Sequence, residues 1–153
     1  MMKQACEVIH RLNGRWLATA ESLTGGGIGA ELTSVPGSSA VFKGGVISYT
    51  NWVKHHILGV SQEALDTLGA VSAPVARQMA EGARSALEAD LAVAVTGLAG
   101  PSGDDFGHPV GTVFIGFADG DRSLSREYHF EGSREEVRRQ TIEAALSLVL
   151  QYL

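Results

Sequence analysis

The stretch GSSAVFKGGVISYTNWVK, residues 37–54, places Ser39, Tyr49 and Lys54 in one glycine-studded segment. Serine is a poor nucleophile until a neighbour takes its proton. Lysine can do so where desolvation or a nearby cation lowers its pKa, and Ser–Lys pairs are a variant of the catalytic triad. A tyrosine hydroxyl between them could relay the proton or donate to an oxyanion. The competing explanation is that Ser39 caps a turn, Tyr49 packs and Lys54 is a solvated helix residue. Composition adds a hint: the basic residues are nine Arg and three Lys, and Lys43 and Lys54 both fall in this stretch. Lysine can be tuned to a neutral base, whereas arginine stays charged.

Other constellations fail on spacing. In TGGGIGA (24–30), Gly25, Gly27 and Ala30 fit a loose G-x-G-x-x-[G/A] dinucleotide fingerprint. That site also needs an acid at the end of the next strand, and the segment from Gly44 to Asn51 has none. Two explanations of the glycines remain. Backbone N–H groups at a helix start could approach a phosphate or carboxylate, or a helix could cross the sheet closely. A reductase-type Tyr-x-x-x-Lys pair requires one helical turn, but Tyr49 and Lys54 are five residues apart. Histidines 10, 55, 56, 108 and 129 show no metal-binding spacing, and DDFGH (104–108) reads as a solvated loop. No G-x-S-x-G elbow is present, and Cys6 has no implied base. Neither a metal nor a redox cofactor is expected.

The whole chain bounds the answer further. Its 153 residues fit one domain, 1–153, and a net charge of −5 disfavours nucleic acid or an anionic membrane as partner. The lone Cys6 suits a reducing cytoplasm, and no signal peptide or membrane-length apolar run is evident.

The elements that must position these residues alternate. Residues 2–13 read as an amphipathic helix and 16–20 as a buried strand; a helix follows through 34, with Thr24 as N-cap. AVFKGGVISYT is β-rich with a bulge at its glycine pair, and NWVKHHILGV is a short helix closed at Gly59. Ser61 caps a helix ending at Gly69, and Ser72 caps the helix over 72–89. LAVAVTG (91–97) has the continuous apolar character of a central strand covered on both faces. After a loop over 98–111, two strands form a hairpin around Asp119-Gly120-Asp121. A long C-terminal helix begins with a capping box from Ser133 to Glu136. The pattern predicts an α/β fold of three layers, α/β/α, over a mixed β-sheet.

At this point five blocks, in order, resemble the CinA C-terminal domain family, which includes stand-alone nicotinamide-nucleotide amidases. They are AESLTGG (20–26), PGSSAVFKGGVISYTNWVKHHILGV (36–60), GAVSAPVARQMAEGA (69–83), VTGLAGPSG (95–103) with PVGTVFIG (109–116), and FEGSREEVRRQ (130–140). The resemblance implies hydrolysis of the amide of nicotinamide mononucleotide to nicotinate mononucleotide and ammonia. It implies Ser39 as nucleophile, with Ser38 and Ser22 as alternatives, Lys54 as general base and Tyr49 assisting. Ser22, Thr24, Gly25 and Gly26, and Thr96, Gly97, Ala99 and Gly100, are then the substrate-binding loops. Arg134 and Arg138 are candidates for the nucleotide phosphate, which arginine matches bidentately. The family pattern also implies a homodimer. Leu23 and Thr50 stand where the family often has Cys and Ser. The alternative function is a non-catalytic pyridine-nucleotide-binding or regulatory module, associated with a competence or damage response.

Overall fold

Valine and alanine alternate in LAVAVTG because the two faces of its strand meet different partners. In the computed structural model, which describes residues 2–153, this strand is β3 (Leu91–Gly97). With β1 (Leu17–Glu21), β2 (Phe42–Ile47), β4 (Thr112–Ala118) and β5 (Ser123–His129) it forms a sheet of order β2-β1-β3-β4-β5. The first three strands in that order run parallel, and β3-β4-β5 are antiparallel. The sheet is therefore mixed, as expected.

One face presents Leu17, Leu91, Val93, Val95, Val113, Ile115 and Phe117. These pack on α1 (Lys3–Arg11), α2 (Gly27–Thr33) and α6 (Arg134–Gln151) through Val8, Leu12, Ile28, Leu32, Val137 and Leu146. The other face presents Ala18, Ala20, Ala92, Ala94 and Ala118 to Val75, Met79, Ala80 and Ala83 of α5 (Ala73–Ala86). Small residues let this helix lie close to the strands. A Cβ at Gly116 would collide with the backbone carbonyl oxygen of Ala76. Since that oxygen belongs to α5 and cannot swing aside, Gly116→Ala is expected to cost about 3 kcal/mol. A denaturant titration reads this directly, and an unchanged midpoint would mean that α5 shifts off the sheet at little cost.

Two short helices, α3 (Asn51–His56) and α4 (Gln62–Thr67), connect β2 to α5. The bulge appears where β2 meets β1: Leu17 pairs with Phe42, but Ala18 pairs with Gly44. Ser61 caps α4 by accepting from Ala64 N, and the Ser133–Glu136 capping box is present on α6. The hairpin turn is tied by Asp119, whose Oδ1 accepts from the N–H groups of Asp121 and Arg122, both at 2.9 Å.

Two expected caps do not form. The Ser72 hydroxyl donates to Gly69 O at 3.0 Å, leaving α5 without a side-chain cap. Thr24 does not cap α2 either: the helix starts at Gly27, and its N-cap is Gly26 with φ +103°. In neither case does the hydroxyl oxygen accept from a helix N–H, and the Thr24 hydroxyl donates instead to the carboxylate of Glu21.

Candidate active site

The three parallel strands end on one edge, and each end delivers a segment of the site. Ser22 follows β1, the Ser48–Lys54 segment follows β2, and Thr96 to Gly100 close and follow β3. The chain leaves β1 toward β2 and later returns on the other side to β3, so the crevice lies where the connections diverge, the usual ligand position in such sheets. These segments line a cleft of about 610 Å³ that includes Ser22, Leu23, Tyr49, Asn51, Lys54, Thr96 through Phe106, and Arg134.

Lys54 is the centre of this cleft. It lies on α3, a six-residue helix whose N-cap Thr50 accepts from Val53 N at 3.4 Å. Its side chain is only 1% exposed. Nζ donates to Ser22 Oγ at 3.0 Å, to Ser48 O at 2.8 Å and to Tyr49 O at 3.4 Å. No ion pair among the described residues involves it. A cation removed from water without a carboxylate partner loses its preference for the charged form, and burial lowers the Lys54 pKa to about 8. A lysine poised there is neutral in a substantial fraction of molecules near pH 7.5, roughly a quarter. The neutral amine can accept the Ser22 hydroxyl proton.

The serine that the fold brings to Lys54 is thus Ser22. Ser39 sits in a short 3-10 turn, Ser38–Ala40, on the exposed surface and outside the cleft lining, and Ser38 is buried beside it in the same turn. The reason is strand pairing. Glu21 O accepts from Ser48 N at 2.7 Å and from Ser48 Oγ at 3.3 Å, which ties the end of β1 to the segment that leads into α3.

Tyr49 lines the cleft, but its contact with Lys54 runs through its carbonyl oxygen. Its hydroxyl stands at the rim and accepts from Arg134 Nη2 at 3.4 Å. Arg134 also donates to Gly100 O at 2.6 Å, and with Lys54 it makes up the cationic groups of the cleft lining. Thr96, Gly97, Ala99 and Gly100 all line the cleft, with the Thr96 hydroxyl donating to Ala70 O at 2.9 Å.

Thr24, Gly25, Gly26 and Arg138 lie elsewhere. The start of α2 already holds an anion, since Glu21 Oε1 accepts from Ile28 N at 2.8 Å and Oε2 from Gly29 N at 3.0 Å. This carboxylate is 2% exposed, so the helix start that the glycines suggested for a ligand is occupied by the chain itself. Arg138 donates to Leu23 O and Thr24 O, backbone atoms of the same loop.

Residues 2–153 match the CinA C-terminal domain. The chain belongs to this family. Over 145 residues it is 48% identical to the nicotinamide-nucleotide amidohydrolase PncC of Pseudomonas putida, covering 95% of this chain and 90% of that protein. A CinA-like protein from Sulfurihydrogenibium sp. is 44% identical over 152 residues, 99% of this chain but 38% of that protein. The chain therefore spans well under half the length of that relative. A solved CinA superfamily protein from Escherichia coli superposes with a TM-score of 0.95 at 34% identity, covering 98% of this chain and 88% of that one. The three-layer CinA fold is thereby established for this sequence.

Leu23 packs into the core at 4% exposure, and Thr50 caps α3 through its hydroxyl. Three participants were given no role by the sequence, although each lies in a quoted stretch, AESLTGG or DDFGH. Asp105 and Phe106 of the 98–111 loop line the cleft, and Glu21 organises the Ser22 turn. Glu21 left one signal in the sequence: an acid at the end of the apolar run WLATAE, in a strand whose every residue is buried. No helix among the described residues is long and apolar enough to cross a membrane.

Proposed function

We propose that the protein is a nicotinamide-nucleotide amidase that hydrolyses the carboxamide of nicotinamide mononucleotide, with Ser22 as nucleophile and Lys54 as base. The observation that carries this reading is the buried Lys54 Nζ, 3.0 Å from Ser22 Oγ and without a counter-ion among the described residues. The 48% identity to a protein named for this activity supports the substrate.

Neutral Lys54 takes the Ser22 proton as Oγ attacks the amide carbon. The C–N bond then breaks as Lys54 returns that proton to the departing nitrogen, which leaves as ammonia. Water, deprotonated by the same amine, attacks the acyl carbon, and the ester C–O bond breaks as Lys54 returns that proton to Ser22 Oγ, which releases nicotinate mononucleotide. Leu23 follows the nucleophile directly and is a lining residue of the cleft, and its amide has no acceptor among the described residues, so it is the donor assigned to the oxyanion. Arg134 and the Tyr49 hydroxyl at the rim receive the phosphate. Binding energy from that remote group orients the amide.

The test is ammonia release from nicotinamide mononucleotide by the purified protein. Turnover is expected, with the riboside lacking phosphate a poorer substrate. Ser39→Ala should keep its rate within about twofold of wild type, since surface substitutions away from a site are near neutral. Ligand-dependent thermal stabilisation without any turnover would instead make the protein a binding module.

A further inference from the structure

The loop after β1 is built around glycines with left-handed backbone, Gly25 at φ +58° and Gly26 at φ +103°. Such a loop has little intrinsic rigidity, so its conformation has to be imposed by side chains. Two charged groups do this from opposite sides. The Glu21 carboxylate takes the Thr24 hydroxyl and the N–H groups of Ile28 and Gly29. From α6, Arg138 Nε donates to Leu23 O at 2.9 Å and Nη2 to Thr24 O at 3.2 Å. Two adjacent carbonyls are thus held by two nitrogens of one planar fork, a match that an ammonium group cannot reproduce. The guanidinium is half-buried and lies outside the cleft lining, unlike Arg134 one turn earlier on the same helix.

We propose that Arg138 is a positioning residue that fixes the Leu23–Thr24 backbone, and through it the placement of Ser22 Oγ on Lys54 Nζ, and that it does not bind the substrate phosphate. The inference rests on Ser22 being the nucleophile. A reacting group displaced by about 1 Å loses on the order of 100-fold in rate even when the cause is remote. Arg138 should therefore act on kcat and leave substrate affinity alone, whereas a phosphate ligand would act on KM.

The experiment compares wild type, Arg138→Met and Arg138→Lys by kcat and KM for nicotinamide mononucleotide. It also measures the rate at which a fluorophosphonate probe labels Ser22, located by mass spectrometry. Both variants are expected to lose about 10- to 100-fold in kcat. KM should stay within about twofold, labelling should slow in parallel, and lysine should fail to rescue because its point charge cannot bridge two carbonyls. Arg138→Lys keeps the charge and stem, so it carries the comparison if Arg138→Met does not fold. A raised KM with unchanged kcat and labelling would overturn the proposal in favour of phosphate binding, and wild-type values throughout would also overturn it. If wild type labels at Ser22 but releases no ammonia, slower labelling in the variants still supports the positioning role while the amidase reading falls. An unlabelled Ser22 in wild type sinks both.

Discussion

Ser22→Ala should lower kcat/KM for amide hydrolysis by about 10^4-fold or more while leaving the fold intact. No other hydroxyl is bonded to Lys54 Nζ, whose remaining partners are the carbonyl oxygens of Ser48 and Tyr49. Carbonyl oxygens cannot replace a nucleophile, so the loss is of the chemical step. The structural cost is small, since Ser22 Oγ gives up one hydrogen bond, worth about 1 kcal/mol. Two measurements separate these effects. Steady-state ammonia release reads the rate, and intact-protein mass spectrometry of quenched reactions reads the acyl adduct, expected on wild type and absent from the variant. Full activity in Ser22→Ala would remove the nucleophile assignment, and a simultaneous loss in Ser39→Ala would return it to the exposed turn.

The contrast between Ser22 and Ser39 shows what a single sequence reveals about a site. Lys54 was legible from its residue type in a chain poor in lysine, and the carboxyl ends of parallel strands were a foreseeable location. The partner stood only as an alternative, because Ser22 and Lys54 lie 32 residues apart and meet only through the pairing of β1 with β2. Nearness in sequence and the family resemblance both favoured Ser39, and no periodicity links the end of one strand to a helix beyond the next. The same logic applies to the fold. The β3 run, the hairpin at Asp119 and the Ser133–Glu136 box were readable because each is decided by residues a few positions apart. The expected caps at Thr24 and Ser72 are absent: α2 starts only at Gly27 with Gly26 as its N-cap, and the two hydroxyls donate to Glu21 and Gly69 O. Glu21 itself was hidden by an ordinary rule: an acid is expected at the surface, and nothing local says that two amides of α2 will surround it.

Lys54→Met should abolish turnover to a similar degree, about 10^3- to 10^4-fold, and should also change how the protein responds to pH. The Lys54 pKa is lowered from 10.5 to about 8 by burial. For the wild type, kcat/KM should therefore fall about tenfold per pH unit below 8 and level off above it, because the base must be neutral. Stability follows the same group with its own sign. Between the folded pKa of about 8 and the unfolded value of 10.5, the unfolded chain holds the extra proton, so stability rises with pH across this window. At 1.36 kcal/mol per unit, the burden below pH 8 is about 3 kcal/mol, and roughly 2 kcal/mol of it is relieved by pH 9.5. The raised pKa of Tyr128, caused first by desolvation, works in the opposite sense above 10, so the comparison is best held below that pH. Methionine preserves the stem and cannot titrate. Subtracting the variant's unfolding free energy from the wild type's at each pH therefore isolates Lys54, and the difference should climb between pH 7 and 9.5. A flat difference would mean that Lys54 holds its proton throughout, and with it the activation of Ser22 by a neutral amine would have to be given up.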